Sequence, residues 1–131
     1  MNDKLELWSQ SDLKLDNLKK CAIFVHYSIN DYERIEEKKN KLIQFCEDVL
    51  KTSNYEIFIE IGSFLGTREV FNNMLKRFER GEFSHLVVTN IEQIFRLNYN
   101  PTKAQYLISK IQRMNVMTIC VEDGQYINVL N

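Results

Sequence analysis

The chain has 131 residues, 44% of them hydrophobic, and a net charge of −1. That is one domain with enough apolar material for an ordinary core, and four Gly with a single Pro exclude low complexity. A near-neutral charge lacks the basic excess of a protein that grips duplex DNA unaided. No apolar stretch is long enough to span a bilayer, and the N-terminus lacks the apolar segment of a signal peptide. The expected location is the cytoplasm, with no membrane partner. Cys21, Cys46 and Cys120 are odd in number, sit among apolar neighbours and lack CxxC spacing, so they read as buried free thiols. His26 and His85 are far apart in sequence, so neither a metal nor a small-molecule cofactor is expected.

Residues 1–20 read as an N-terminal extension. Leu5, Leu7, Trp8, Leu13, Leu15 and Leu18 alternate there with charges, which suits a short strand and a helical turn. Cys21-Ala-Ile-Phe-Val then runs apolar into His26, Tyr27 and Ser28. A short unbroken apolar run rich in β-formers is a strand buried on both faces. From Tyr32 to Lys51 the residues Ile35, Leu42, Ile43, Cys46, Val49 and Leu50 recur at helical spacing. Residues 55–61 are β-branched and aromatic, hence a strand, and Gly62 and Gly66 mark the loop that follows. Val70, Phe71, Met74, Leu75 and Phe78 trace a helix face that Gly81 ends. Residues 84–89 form the next strand. Asn100-Pro101 reads as a cap and first helical position, with Ala104, Leu107, Ile108 and Ile111 as the buried stripe. Residues 116–121 are the last strand, and Glu122-Asp123-Gly124 turns away from it.

Strand and helix alternate, which predicts a three-layer α/β domain over 21–131 with a mainly parallel sheet and right-handed crossovers. A flavodoxin-like order puts strand 21–27 in the middle, beside the point where ligands bind at the carboxyl ends of the strands. Three strand ends or loops then deliver polar side chains to one edge: His26 and Ser28, Arg68, and the trio Glu92, Gln93 and Arg96. A serine needs proton removal or a positive surround to act as a nucleophile. Arginine forks beside it match phosphate oxygens better than an acyl group. Arg68 at a helix start opposes the macrodipole, and a bound anion would reverse that sign. Each of these residues also has a plainer reading. In it Arg68 is solvated or paired with Glu60 or Glu69, Ser28 is a turn serine, His26 is a satisfied, partly buried histidine, and Arg96 is a solvated charge. The Glu36-Glu37-Lys38-Lys39 run is a solvated helix face.

Taken in order, the same residues resemble a known family. Phe24-Val-His-Tyr-Ser28 resembles the Y-x-R-V-S nucleophile segment of serine recombinases, the resolvase/invertase family. Glu60-Ile-Gly62 through Gly66-Thr-Arg68 is similar to its D-x-G-x-S-G…R segment, with Phe71 at the family's distance from the arginine. Leu86-Val-Val-Thr-Asn-Ile-Glu-Gln-Ile-Phe-Arg96 resembles its V-V-V…L-D-R-L-G-R strand and loop, and Val121-Glu-Asp-Gly124 its terminal D-D/E-G turn. The resemblance runs from about residue 21 to 125. It implies a resolvase-like topology, a DNA substrate, and a Ser28 phosphoserine intermediate in strand exchange by dimers or tetramers. It makes Arg68 and Arg96 phosphate clamps, Glu92 the counterpart of the family's aspartate, and Glu60 a supporting acid.

The departures fall on charge. The family's arginine two residues before the serine is His26, and its arginine in the D-R pair is Gln93. Its glycine before the last arginine is Phe95, and the glutamine of its first helix falls at Lys38. In the family the last turn leads to a long dimer helix and a DNA-binding domain, neither expected within this chain. Two readings follow. One is a recombinase domain acting in site-specific strand exchange, weakened or inactive as it stands through the losses at His26 and Gln93. The other is a catalytically degenerate domain with a protein-interaction or regulatory role on DNA.

Overall fold

The computed structural model describes residues 5–7, 13, 18–62, 68–94 and 101–127. Strand β2 (Cys21–Tyr27) is apolar at consecutive positions because both of its faces are covered. Cys21, Ile23 and Val25 belong to one core cluster and Ala22 and Phe24 to the other, as the two-residue period of a strand requires. Helix α1 (Ile35–Asp48) covers the first face with Leu42, Phe45 and Cys46. Helices α2 (Glu69–Glu79) and α3 (Pro101–Arg113) cover the second with Phe71, Met74, Leu75, Phe78, Ala104, Ile108 and Ile111. The architecture is therefore a three-layer α/β sandwich.

The sheet has six strands in the order β1-β6-β5-β4-β2-β3. Here β1 is Leu5–Leu7, β3 Tyr55–Ile61, β4 His85–Val88, β5 Met117–Cys120 and β6 Gln125–Ile127. β2 pairs in parallel with β3 on one side and with β4 on the other, and β4 pairs in parallel with β5. The mainly parallel sheet with strand 21–27 in the interior is the one read from the sequence. β6 and β1 add an antiparallel edge.

The structure differs from the sequence reading in two places. Helix α1 begins at Ile35 rather than Tyr32, after a 3-10 turn over Ile29–Arg34. Tyr32, Glu33 and Arg34 are exposed, so no burial draws this stretch into the α-helix, and tighter turns are common at helix starts. The turn at 121–124 does not leave the sheet. Gly124 (φ +61) reverses the chain into β6, a three-residue strand too short to show a period in sequence. The short strand expected before Cys21 is β1, which pairs with β6, and Leu13 is fully buried in the α1-side cluster. Residues 8–12 and 14–17 lie outside the described residues, as does the Asn100 cap.

Cys21, Cys46 and Cys120 are buried free thiols. Its hydrogen bond to Cys21, together with burial, pushes the Cys46 thiol well up, and burial pushes Cys120 up to about 12. Among the described residues no helix is long and apolar enough to cross a membrane.

His85 is 1% exposed and fully satisfied. Its Nε2 lies 2.7 Å from the Leu13 carbonyl, which can only accept, so Nε2 carries the proton. Nδ1 then accepts from Ser84 Oγ at 2.7 Å, and Ser84 Oγ accepts from the Lys19 amide at 2.8 Å. Burial lowers the pKa of His85, and that of His26, below the ordinary histidine value. A histidine held neutral by the fold stabilises fully above its unfolded pKa of about 6.5, and that stability is lost as pH falls toward the folded value. Denaturant unfolding should therefore show stability falling between pH 7 and 5, by up to about 1.4 kcal/mol per pH unit for each histidine. His85→Gln should flatten that slope, and equal slopes in variant and parent would contradict the assignment.

Candidate active site at the carboxyl edge of the sheet

Neighbouring parallel strands end on a common edge, and a crevice opens where the connections from one strand depart to opposite sides. Here that point lies between β2 and β4, because β3 flanks β2 on one side and β4 on the other. Ser28 is the first residue beyond β2. Its backbone is extended (φ −84, ψ 167), so the strand alternation runs on through it, and its hydroxyl does not cap the 3-10 turn that follows. Ser28 is half-buried.

His26, two residues earlier, is 7% exposed. Burial lowers its pKa and the Glu60 charge opposes that shift, while Arg68 and Lys38 add to it. The ring is thus a neutral imidazole at pH 7 rather than a substitute cation.

Glu60 stands directly across from His26 in the β2–β3 register. Its two carboxylate oxygens have separate work. Oε1 accepts from Arg68 Nε at 3.0 Å, and Oε2 accepts from the Phe71 amide at 3.0 Å. Phe71 is the third residue of α2, so a carboxylate from the adjoining strand caps this helix and satisfies its dipole. The anion anticipated at the start of this helix is supplied by the chain itself.

Arg68 precedes α2 in the left-handed conformation (φ 53, ψ 48), which costs a non-glycine residue roughly 1 kcal/mol or more. Its side chain explains why the conformation persists. The guanidinium donates to Glu60 and to the Ile94 carbonyl, and it lies over the Phe71 ring at 4.1 Å from the centroid. Side-chain exposure is 9% for Arg68 and 7% for Glu60, so the pair is a buried one. Burial lowers the pKa of Arg68 and Glu60 raises it, and a guanidinium remains charged under both. Of the plainer alternatives for Arg68, the pairing with Glu60 is the one present.

Gln93 is also buried, at 8% exposure. Its Oε1 accepts from the His26 amide at 2.8 Å. It ends a 3-10 turn over Ile91–Gln93 that Asn90 caps, Asn90 Oδ1 accepting from the Glu92 amide at 3.1 Å. The Glu92 side chain is exposed. Arg96 and Phe95 lie outside the described residues, as does loop 63–67 with Gly66.

His26, Glu60, Arg68 and Gln93 are thus gathered at one strand edge, and Ser28 follows on the same strand as His26. Beside Ser28, Tyr27, Asn30, Tyr32, Glu33 and Ile61 line an open depression of about 580 Å³. Three members of the assembly were missed in sequence: the Phe71 amide, the Ile94 carbonyl and the Asn90 cap. The first two are backbone groups with no side-chain signature. The third was legible, since an Asn two residues before an amide it can accept from is an Asx turn. Among the described residues no group of His, Cys, Asp or Glu could hold a metal ion. Chemically, the described residues of the edge offer a hydroxyl, a neutral imidazole and a guanidinium already engaged by a carboxylate.

The fold is similar to that of several solved recombinase domains. The C-terminal catalytic domain of ISC1926 TnpA, an IS607-like serine recombinase, superposes with a TM-score of 0.63 at 18% identity, over 78% of this chain and 67% of that one. The N-terminal catalytic domain of TP901-1 integrase gives 0.62 at 16%, over 81% and 79%. A resolvase family site-specific recombinase from Streptococcus pneumoniae gives 0.61 at 23%, over 81% and 74%. No protein-family model matches the chain, and no curated protein matches it. The likeness is one of fold, and that fold is the serine recombinase catalytic domain's.

Removing one partner of a buried ion pair costs about 3–5 kcal/mol, because the other charge is left uncompensated. Glu60→Ala should destabilise the protein by about that much in denaturant titrations. Glu60→Gln, which keeps an acceptor for the Phe71 amide, should cost less. A loss below about 1 kcal/mol for Glu60→Ala would contradict the buried pairing.

Proposed function

We propose that this chain is a serine recombinase catalytic domain that acts on DNA phosphodiesters through Ser28, and acts slowly as it stands. The observation that carries the reading is Ser28 just beyond the end of an interior parallel strand, two residues after His26, whose register partner Glu60 forms the buried pair with Arg68, on a fold like that of recombinase domains. In the step proposed, Ser28 Oγ attacks phosphorus. The Oγ–P bond forms as one P–O ester bond to a deoxyribose breaks. The hydroxyl proton leaves Oγ, and the departing sugar oxygen takes a proton. One phosphodiester replaces another, so the reverse step reseals the strand without an external energy source.

Arg68 serves as phosphate clamp, with Arg96 as the second clamp, Glu92 as the family's acid and Glu60 as the support of Arg68. The weakness of the site is electrostatic. Loss of one preorganised charge donor costs about two to three powers of ten in rate. A neutral His26 and an uncharged Gln93 remove two, and such losses need not add. His26 takes on a different part here: a neutral imidazole on the same face as Ser28 is an acceptor for the hydroxyl proton. The partners in this reading are duplex DNA and further copies of the chain, as dimer or tetramer, in the cytoplasm and in the service of a mobile element.

One observation favours the second reading, a catalytically silent domain with a regulatory or protein-interaction role on DNA. Arg68 and Gln93 are both already engaged within the protein. Incubation with supercoiled plasmid carrying the genomic flanks of the chain's own locus separates the two. The proposal expects a low yield of protein–DNA adduct, absent in Ser28→Ala and reduced about a hundredfold in Arg68→Ala. No adduct at any protein concentration would favour the silent domain.

A further inference from the structure

The alternation of backbone groups along β2 gives Gln93 a part that its residue type alone does not suggest. The Cys21 amide donates to the Asn54 carbonyl at 3.0 Å, and the Tyr27 carbonyl accepts from the Gly62 amide at 3.0 Å, so odd-numbered residues of β2 face β3. The Lys20 carbonyl accepts from the Ser84 amide at 3.0 Å, so even-numbered residues face β4. The His26 amide therefore points toward β4.

β4 does not reach it. The β2–β4 register ends at Ile23↔Val87, whereas β2–β3 pairing continues to Tyr27↔Ile61. The Val88 carbonyl accepts from the Val121 amide at 2.9 Å, which sets even residues of β4 toward β5. By the same alternation the Thr89 carbonyl would be aimed at the His26 amide. Instead it accepts from the Glu122 amide at 2.7 Å. β4 turns off one carbonyl too soon, and its register with β2 stops short of His26 on the strand that carries Ser28. A buried amide must be satisfied, and Gln93 Oε1 does so at 2.8 Å.

We infer that Gln93 is a positioning residue whose carboxamide oxygen replaces the missing β4 carbonyl and holds the end of β2 that presents Ser28. The residue type suits the task. Glutamine brings an uncharged acceptor to a site 8% exposed. Arginine and lysine have no acceptor, and asparagine is one methylene shorter. The Asn90 cap and the bond from the Gln93 amide to the Asn90 carbonyl at 3.1 Å fix the turn from which the side chain reaches. A cation at this position would not simply restore charge to the edge, because it would unlatch the strand it was meant to serve. The consequence for catalysis rests on the proposed recombinase reading, while the latch itself does not.

The test is by NMR on the whole chain. Wild-type protein should give a through-hydrogen-bond correlation between the His26 amide nitrogen and the Gln93 carboxamide carbon. In Gln93→Met the His26 amide should exchange at least tenfold faster relative to that of Ile23, with added motion at Ser28. Gln93→Glu, which keeps the acceptor, should restore both. Gln93→Arg should behave as Gln93→Met and should not raise adduct formation on supercoiled DNA. Absence of the wild-type correlation, or unchanged His26 protection in Gln93→Met, overturns the inference. If the methionine variant does not fold, the wild-type correlation and the glutamate variant still decide it. A wild type that shows the correlation and yet forms no adduct leaves the latch standing and removes the catalytic reading.

Discussion

The carboxylate of Glu60 divides its oxygens between Arg68 and the Phe71 amide, and that division fixes three segments at once. It sets the start of α2 against the end of β3. Through Arg68 it reaches the Ile94 carbonyl and so restrains the turn that follows β4. The arrangement has opposing terms. Burying two charges costs several kcal/mol each, and the left-handed backbone at Arg68 costs roughly 1 more. Against them stand charge-assisted hydrogen bonds, a satisfied helix end and the Phe71 ring beneath the guanidinium. A buried pair of this kind is weak evidence for stability and better evidence for a defined geometry.

That geometry has a cost in chemistry. A guanidinium facing an incoming phosphodiester is useful in proportion to the charge it can lend, and Glu60 already draws on it. Burial keeps His26 neutral, and Gln93 carries no charge to give. Among the described residues, order at the edge therefore comes from hydrogen bonds and the Arg68–Glu60 ion pair rather than from an excess of cations. The same feature accounts for both readings of the site: a slow enzyme if a phosphate can share Arg68 with Glu60, a structural domain if it cannot.

Much of this was legible in the sequence, and what was legible had a reason. β2 announced itself because both of its faces are buried, which removes polar residues from five successive positions. The place of Ser28 followed from it. The pairing of Arg68 with Glu60 was among the plain alternatives, since the two lie eight positions apart, one at a strand end and the other just before the next helix. β6 was hidden by its three-residue length. The role of Gln93 was hidden more deeply. It depends on the Thr89 carbonyl turning toward Glu122, a backbone event with no signature in residue type. The left-handed conformation at Arg68 was equally invisible, because nothing in an arginine asks for it.

A double-mutant cycle on Glu60 and Arg68, each replaced by Ala singly and together and read by denaturant unfolding, measures the interaction on which the edge depends. The account predicts a coupling energy of about 2–3 kcal/mol, with the double variant less destabilised than the two single losses added. Additive losses, with coupling within about 0.5 kcal/mol of zero, would contradict it.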